Sequence, residues 1–215
     1  MECFILDLND SKSVETKTDG SEYRKDGLLI PHIGCSEWDG HIYVSGATGS
    51  GKTWLIGQIL ANDKLRRIVH YYSDLEDDVS LQLLYDQGRI IKTNSTNLDD
   101  VKDSIVLFDD CTNSTLMVFR DQLLERGRHQ NTMVVCVNHK YRQWRATMIP
   151  LNESRWVITF PFANKPTSVQ ILQGIGVNKN DAKDIVNQVV EDGRHMAIHQ
   201  FAPNFILSTK SIIRI

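Results

Sequence analysis

Eight consecutive residues decide the fold of this chain: Gly46-Ala47-Thr48-Gly49-Ser50-Gly51-Lys52-Thr53. This stretch fits the pattern G-x-x-x-x-G-K-[ST] at every fixed position, which is the phosphate-binding loop called Walker A. Glycines let the backbone curl so that several amide groups point at phosphate oxygens, and the following helix adds the positive end of its dipole. We therefore expect all eight residues to bind the phosphates of a nucleotide.

Two residues of this loop have specific roles. Lys52 is expected to place its charge on the β- and γ-phosphates, and the Thr53 hydroxyl to ligate Mg²⁺. The flanking sequence supplies the context that the motif requires, because residues 41–45 read as a strand and residues 52–61 as a helix. The alternative, a glycine-rich turn with a solvated lysine, does not require that context. The sequence thus predicts ATP and Mg²⁺ as ligands.

A second element ends in two acids, Ile105-Val106-Leu107-Phe108-Asp109-Asp110. An apolar strand followed by a carboxylate has the form of a Walker B element. Asp109 is expected to hold Mg²⁺ through water, and Asp110 to orient and deprotonate the attacking water. The alternative is an acidic turn without a role in catalysis.

The rest of the chain alternates predicted strands with predicted helices. Further strands are expected at residues 67–72, 89–92, 104–108, 132–137 and 156–160, and helices at 77–87, 114–126 and 181–191, the last opened by Asn180. Residues 195–201 and 205–208 read as a C-terminal β-hairpin. Such alternation predicts an α/β fold with a mostly parallel central sheet flanked by helices.

Composition sets the broad class. The chain has 215 residues, 41% hydrophobic and 24% charged, with a formal net charge of −3. We expect an N-terminal strand and polar arm at residues 1–26, with residues 8–26 as a loop or weakly ordered arm, and one domain at 27–215. No signal peptide and no bilayer-length apolar stretch is seen, so a cytosolic protein without direct membrane insertion is expected. The four cysteines include no C-x-x-C pair, which makes zinc an unfavoured reading.

Some features have simpler interpretations. Asn178-Lys179-Asn180-Asp181 matches the guanine-reading N-K-x-D of GTPases, but no buried strand precedes it, and Asp109 and Asp110 are not followed by the glycine of D-x-x-G. We interpret it as a helix-capping turn.

A small-molecule kinase would need a lid and an acceptor pocket, and neither is identified. Trp54 reads as a packing residue. Four histidines read as structural or surface residues: His129, His139, His195 and His199.

Three further segments carry a family resemblance. They are Glu125-Arg126-Gly127-Arg128-His129-Gln130-Asn131, then Val134-Val135-Cys136-Val137-Asn138, then Arg155-Trp156-Val157-Ile158-Thr159-Phe160-Pro161 with Asn164-Lys165. With them the chain resembles the FtsK–HerA superfamily from about Gly40 to its C-terminus. More narrowly, it is similar to the genome-packaging ATPases of large DNA viruses, virophages and related double jelly-roll viruses.

The resemblance implies a RecA-like (ASCE) P-loop fold and further site residues. Asn138 would be the polar sensor, on the strand beside the Walker B strand, that contacts the γ-phosphate or the attacking water. Arg126 or Arg128 would be the arginine finger of a neighbouring subunit, and we favour Arg128. Relatives often have glutamate where this chain has Asp110, which is one methylene shorter.

The superfamily also implies a ring, commonly hexameric, that translocates double-stranded DNA. We hypothesise a motor that packages viral DNA into a preformed capsid. Its partners would be double-stranded DNA, a capsid or inner-membrane component of the virion, and other copies of the chain. It would act in the host cytoplasm or with the virion.

One stretch bears on DNA binding. From Arg120 to Arg145 six basic residues stand against two acids, and this is either a solvated face or a DNA-binding one. The candidates in this stretch for contacting DNA phosphates are Lys140, Arg142 and Arg145.

The open alternatives for the whole protein are a cellular FtsK/HerA-like translocase and a nucleotide-gated capsid-assembly factor with little hydrolysis.

Overall fold

The structure is a computed structural model. It describes residues 2–6, 13–17, 28–31, 40–61, 63, 65–74, 78–139, 145–162, 164–200, 205–208 and 212–214. The chain divides into two compact units, one formed by Ile33–Arg155 and the other by Met1–His32 together with Trp156–Ile215. The boundary near residue 26 that the sequence suggested stays a prediction.

The described residues form strands and helices in alternation. The strands are β1 (Glu2–Leu6), β2 (Ser13–Lys17), β3 (Leu28–Pro31), β4 (His41–Ser45), β5 (Val69–Ser73), β6 (Ile90–Lys92), β7 (Ile105–Asp109), β8 (Met133–Asn138), β9 (Ser154–Thr159), β10 (Met196–His199), β11 (Phe205–Leu207) and β12 (Ile212–Arg214). The α-helices are α1 (Lys52–Ala61), α2 (Gln82–Asp86), α3 (Ser114–Arg126), α4 (Arg145–Glu153), α5 (Lys165–Gly174) and α6 (Lys179–Asp192). Short 3₁₀ helices lie at Val79–Leu81, Leu98–Val101 and Gly127–Gln130.

Five parallel strands form the centre of the unit Ile33–Arg155, in the order β4-β8-β7-β5-β6. Strand β8 therefore lies between the strand that precedes the glycine loop and the strand that ends in two acids. The register places Ser45 beside Asn138 and Asp109 beside Val137. The carboxyl ends of β4, β7 and β8 are thus level with one another, at the edge where parallel sheets bind ligands.

Helices cover both faces of this sheet. Helix α1 connects β4 to β5, whereas α3 connects β7 to β8 in the opposite direction along the sheet. Right-handed crossovers therefore place α1 and α3 on opposite faces. On the α3 face, Phe119 meets Phe108 edge-on and Phe108 stacks on Tyr72, with ring centroids 6.3 and 4.9 Å apart. Strands β4 and β7 are buried along their whole length, as two covered faces require.

The second unit contains antiparallel strands and two helices. Strand β1 pairs with β2 and β3, and strands β9 to β12 pair in succession. The predicted C-terminal hairpin is confirmed by β10 and β11, in which Ile198 stands opposite Ile206. Asn178 caps α6, because its side chain accepts hydrogen bonds from the backbone amides of Asn180 and Asp181. The capping interpretation is confirmed, although Asn180 lies inside the helix instead of opening it.

Two expectations about local structure were wrong, and one helix was not predicted. Ser13–Lys17 is a strand within the stretch that was predicted as loop. Arg145–Glu153 is a helix that the sequence did not predict, since it contains Pro150. Trp54 is 44% exposed, because the buried positions of α1 fall on the opposite face of that helix. No helix in the described part of the chain combines the length and apolar character that a bilayer crossing requires.

Candidate functional site

The glycine loop connects β4 directly to α1. Gly49 and Gly51 have φ angles of +74° and +95°, in the left-handed region that side chains disfavour. A Cβ atom at either position would meet no heavy atom within 4 Å among the described residues. These glycines are therefore required by the backbone conformation, and not by crowding. Leu55 N donates to Gly51 O at 2.9 Å, and the amides of the first residues of α1 before Leu55 have no acceptor within the helix and can face a ligand.

Lys52 lies over its own loop. Its Nζ atom donates to Ala47 O at 3.2 Å and lies 3.2 Å from His139 Nδ1, and the residue is 5% exposed. Burial lowers the pKa of Lys52, and the nearby charges of Asp110 and Asp109 partly offset this effect. A cation held at a helix N-terminus, with little water around it, favours the binding of an anion such as a phosphate.

Asp109 and Thr53 form the candidate metal site. Thr53 Oγ1 donates to Asp109 Oδ2 at 3.3 Å. The pKa of Asp109 is raised to about 6, first by burial and second by the charge of Asp110, while the bond from Thr53 and the charge of Lys52 act in the other direction. Asp109 Oδ1 is buried without a hydrogen-bond partner among the described residues. A hydroxyl beside a carboxylate with a free oxygen fits Mg²⁺, which takes hard oxygen ligands.

Two more buried polar atoms at this edge lack a hydrogen-bond partner within the described ranges. They are Ser50 Oγ in the loop and Asn138 Nδ2 at the end of β8. The backbones of β4 and β8 are joined here, since Gly46 N donates to Asn138 O at 3.3 Å. Buried polar groups are nearly always hydrogen-bonded in folded proteins. Unsatisfied atoms from the loop, from β7 and from β8 at one edge therefore indicate a polar ligand.

Asp110 and His139 meet at the same edge. Asp110 has a φ angle of +49°, and its amide donates to Val137 O at 3.0 Å. Its Oδ2 atom lies 2.6 Å from His139 Nε2. The expectation that His139 is a structural or surface residue was therefore incomplete, because its half-exposed ring lies against two site residues. The available signal was its position directly after Asn138, at the carboxyl end of β8.

The two candidate finger arginines lie elsewhere. Arg126 ends α3 and Arg128 lies in the following 3₁₀ helix, both exposed, at the amino end of β8. A six-residue strand spans roughly 17 Å, so neither arginine is brought to this chain's own loop. Gly127 between them has a packing role, since a Cβ there would lie 2.7 Å from Thr132 O. The finger role of both arginines stays a prediction.

The structure describes little of the candidate DNA-binding stretch. Lys140 and Arg142 lie outside the described residues, and Arg145 is described only as the first residue of α4.

Fold and loop together define a class. A Walker A loop between β4 and α1, with β8 inserted between β4 and the acidic strand β7, makes this an α/β P-loop fold of the RecA-like type. The predicted fold class is thereby confirmed.

Comparison with solved structures agrees with this class. The chain is similar to the genome packaging NTPase B204 from Sulfolobus turreted icosahedral virus 2 in complex with sulfate, with a TM-score of 0.50 and 13% sequence identity over 82% of this chain and 96% of that chain. A crystal structure of B204, the DNA-packaging ATPase from Sulfolobus turreted icosahedral virus, matches with a TM-score of 0.47 and 13% identity over 82% of this chain and 97% of that chain. No family model and no curated protein matches the chain.

Proposed function

We propose that this protein hydrolyses ATP with Mg²⁺ at the loop Gly46–Thr53. The observation that carries the proposal is the convergence of Lys52, Thr53 and Asp109 at one sheet edge, with Thr53 bonded to Asp109. Lys52 would bind the β- and γ-phosphates, and Thr53 and Asp109 would hold Mg²⁺, whose charge neutralises phosphate oxygens.

Two further residues would act on the attacking water. Asp110 is the candidate base, because its side chain is 17% exposed and stands next to the metal-binding Asp109. Asn138 is the candidate sensor, because its amide ends the strand between the Walker A and Walker B strands and its Nδ2 atom has no hydrogen-bond partner in the described part of the chain. An amide donor at this position would hold the γ-phosphate or the water in line for attack.

We further propose that the ATPase is a DNA-packaging motor of the FtsK–HerA type. The sequence resemblance motivates this step, and the fold shared with B204, which is a genome packaging NTPase, agrees with it. Double-stranded DNA would be bound through its backbone without sequence preference. The capsid or inner-membrane partner and the host-cytoplasmic setting belong to the same proposal.

The position of Arg128 favours a ring. The residue is exposed at the edge of the sheet opposite its own Walker A loop, so it would complete a site only in a second copy. A planar guanidinium suits the developing charge on a transferred phosphoryl group. Each subunit would then supply the loop of one site and the arginine of the next.

The motor proposal is tested by steady-state ATP hydrolysis with and without double-stranded DNA. We expect DNA to raise kcat of the wild type several-fold. Hydrolysis that requires Lys52 but is not stimulated by DNA would support the proposed ATPase and contradict the proposed DNA-packaging motor. Slow turnover unaffected by DNA would instead favour the nucleotide-gated assembly factor.

The ring proposal is tested by mixing two variants that we expect to be inactive, Lys52→Ala and Arg128→Ala. In a mixed ring, the intact Lys52 of one subunit meets the intact Arg128 of its neighbour, so part of the activity should return. The Arg126→Ala variant decides between the two candidate arginines, and Arg194→Ala is an exposed control outside the motif. Failure to recover activity on mixing, although both variants assemble, would reject a shared site.

A further inference from the structure

His139 joins the phosphate-binding lysine to the candidate base. Its Nδ1 atom lies 3.2 Å from Lys52 Nζ and its Nε2 atom 2.6 Å from Asp110 Oδ2. A lysine ammonium can only donate, so Nδ1 accepts and the ring hydrogen lies on Nε2, where it donates to the carboxylate. The two nitrogen atoms of one imidazole ring therefore contact two residues with different roles in the proposed reaction. Lys52 would bind the phosphates, and Asp110 would act on the attacking water.

The sheet register produces this arrangement. Asp109 pairs with Val137, so the residues that follow β7 and β8 leave the sheet close together. The bond from Asp110 N to Val137 O fixes the backbone that carries the carboxylate. Thr48 Oγ1 lies 3.5 Å from the same Nδ1 atom, so the ring also reaches the Walker A loop.

We propose that His139 is a positioning residue of the ATPase, which orients Asp110 through Nε2 and occupies Lys52 through Nδ1 until a phosphate oxygen takes its place. The inference rests on the proposed ATP hydrolysis at this site. Its two contacts have opposite consequences. The contact with Lys52 competes with nucleotide binding, whereas the contact with Asp110 holds the base ready for the attacking water.

Two amide variants separate these contacts. In His139→Asn, the side-chain Oδ1 takes the position of Nδ1 and still accepts from Lys52, but the donor to Asp110 is lost. In His139→Gln, Nε2 takes the position of the imidazole Nε2 and still donates to Asp110, but the acceptor for Lys52 is lost. His139→Ala removes both. The ring is 44% exposed, so these replacements should leave the fold intact, and thermal unfolding checks this.

The measurements are calorimetric binding of a non-hydrolysable ATP analogue and kcat for ATP. We expect His139→Gln to bind the analogue roughly 3- to 10-fold more tightly than the wild type, with kcat nearly unchanged. We expect His139→Asn to bind with unchanged affinity and to lose roughly 10-fold or more in kcat. His139→Ala should bind tightly and turn over slowly.

The control is His129→Ala, because His129 is an exposed histidine at the amino end of β8. It should match the wild type in analogue binding. Equal behaviour of His139→Asn and His139→Gln, or wild-type binding by His139→Gln, would overturn the inference. A wild type that turns over no ATP would reject the proposed function instead, and the binding series would still decide whether His139 competes for Lys52.

Discussion

Thr53 and Asp109 are separated by 56 positions in the chain, and their side chains meet in a hydrogen bond of 3.3 Å from Oγ1 to Oδ2. This contact joins the first turn of α1 to the end of β7. The fold therefore assembles the hydroxyl and the carboxylate as one oxygen-rich pair, with one oxygen of Asp109 buried and unbonded among the described residues. Such a pair favours the binding of a cation. Without a cation, the buried and unbonded carboxylate oxygen lowers the free energy of unfolding.

The first prediction concerns the stability cost of Asp109. Its pKa is raised from 3.8 to about 6, so the folded protein binds a proton more tightly than the unfolded chain. Stability is therefore lost as the pH rises from about 4 through 6. At about 1.4 kcal/mol for each pH unit, Asp109→Asn should stabilise the metal-free protein at pH 7.5 by roughly 2–3 kcal/mol.

Urea unfolding in EDTA measures this gain. The difference between Asp109→Asn and the wild type should disappear below about pH 4, where both carry a neutral side chain. Asp184→Asn, on the exposed face of α6, should change stability by less than about 0.5 kcal/mol. A destabilised Asp109→Asn protein at pH 7.5 would contradict the account.

The second prediction concerns Gly51. At a φ of +95°, an alanine would strain the backbone by roughly 1 kcal/mol or more, although its Cβ has space. We expect Gly51→Ala to weaken binding of an ATP analogue by roughly 10-fold or more, because the loop amides would turn away from the phosphates. Gly174→Ala, at the end of α5 and equally uncrowded, should bind normally. Normal binding by Gly51→Ala would contradict the loop geometry.

The third prediction concerns acid sensitivity. His41 Nε2 donates to Leu124 O and His41 Nδ1 accepts from Val134 N, both at 3.0 Å, so the ring is held in its neutral form. Burial lowers the pKa of His41 to about 4, and the bond to Leu124 acts in the other direction. The unfolded chain takes up this proton near pH 6.5, so about 3 kcal/mol of stability should be lost as the pH falls from 6.5 to 4.

His41→Gln separates this contribution from that of other histidines. Burial also lowers the pKa of His195 to about 4, so the wild type should lose stability from both groups. The variant keeps a donor for Leu124 and does not titrate, so its unfolding free energy should depend less steeply on pH between 4 and 6.5. An unchanged slope would show that His41 is not the group responsible.

The fourth prediction concerns the buried ion pairs that Asp63, just after α1, forms with Arg67 before β5 and with Arg89 before β6. Asp63 accepts from Arg67 at 3.3 Å and from Arg89 at 3.1 Å, and its side chain is fully buried. Among the described residues, Asp63→Asn would remove the carboxylate that pairs with two buried guanidinium groups, which should cost roughly 3–5 kcal/mol in thermal or urea unfolding. Asp86→Asn, whose side chain bonds Gln82 at the surface, should cost less than about 0.5 kcal/mol. If Asp63→Asn and Asp86→Asn changed the free energy of unfolding equally, that result would contradict a stabilising role of the buried ion pairs.

Much of the site's framework was predictable because local and long-range signals agree there. The strand at residues 41–45 and the helices at 52–61 and 114–126 lie where the sequence placed them. Glycines that need left-handed φ, continuous apolar strands and capping polar residues each restrict the backbone on their own. Where these signals coincide, the predicted bounds of helices and strands agree closely with the structure.

The remainder depends on contacts that sequence patterns do not contain. Pro150 argues against a helix, yet it lies within α4, and the polar residues of β2 give no strand signal. The contact of His139 with Asp110 follows from the register of β7 against β8. A one-residue shift of that register would separate the two side chains, and periodicity alone does not specify it.

The central claim, ATP hydrolysis at the loop Gly46–Thr53, is tested most directly by the Mg²⁺-dependent release of phosphate from ATP. The comparison is between the wild type, Lys52→Ala and Lys183→Ala, which changes an exposed lysine of α6. We predict that the wild type and Lys183→Ala release phosphate at the same rate, and that Lys52→Ala is slower by roughly 100-fold or more. Equal rates for Lys52→Ala and the wild type, or no Mg²⁺-dependent release by the wild type, would contradict the account.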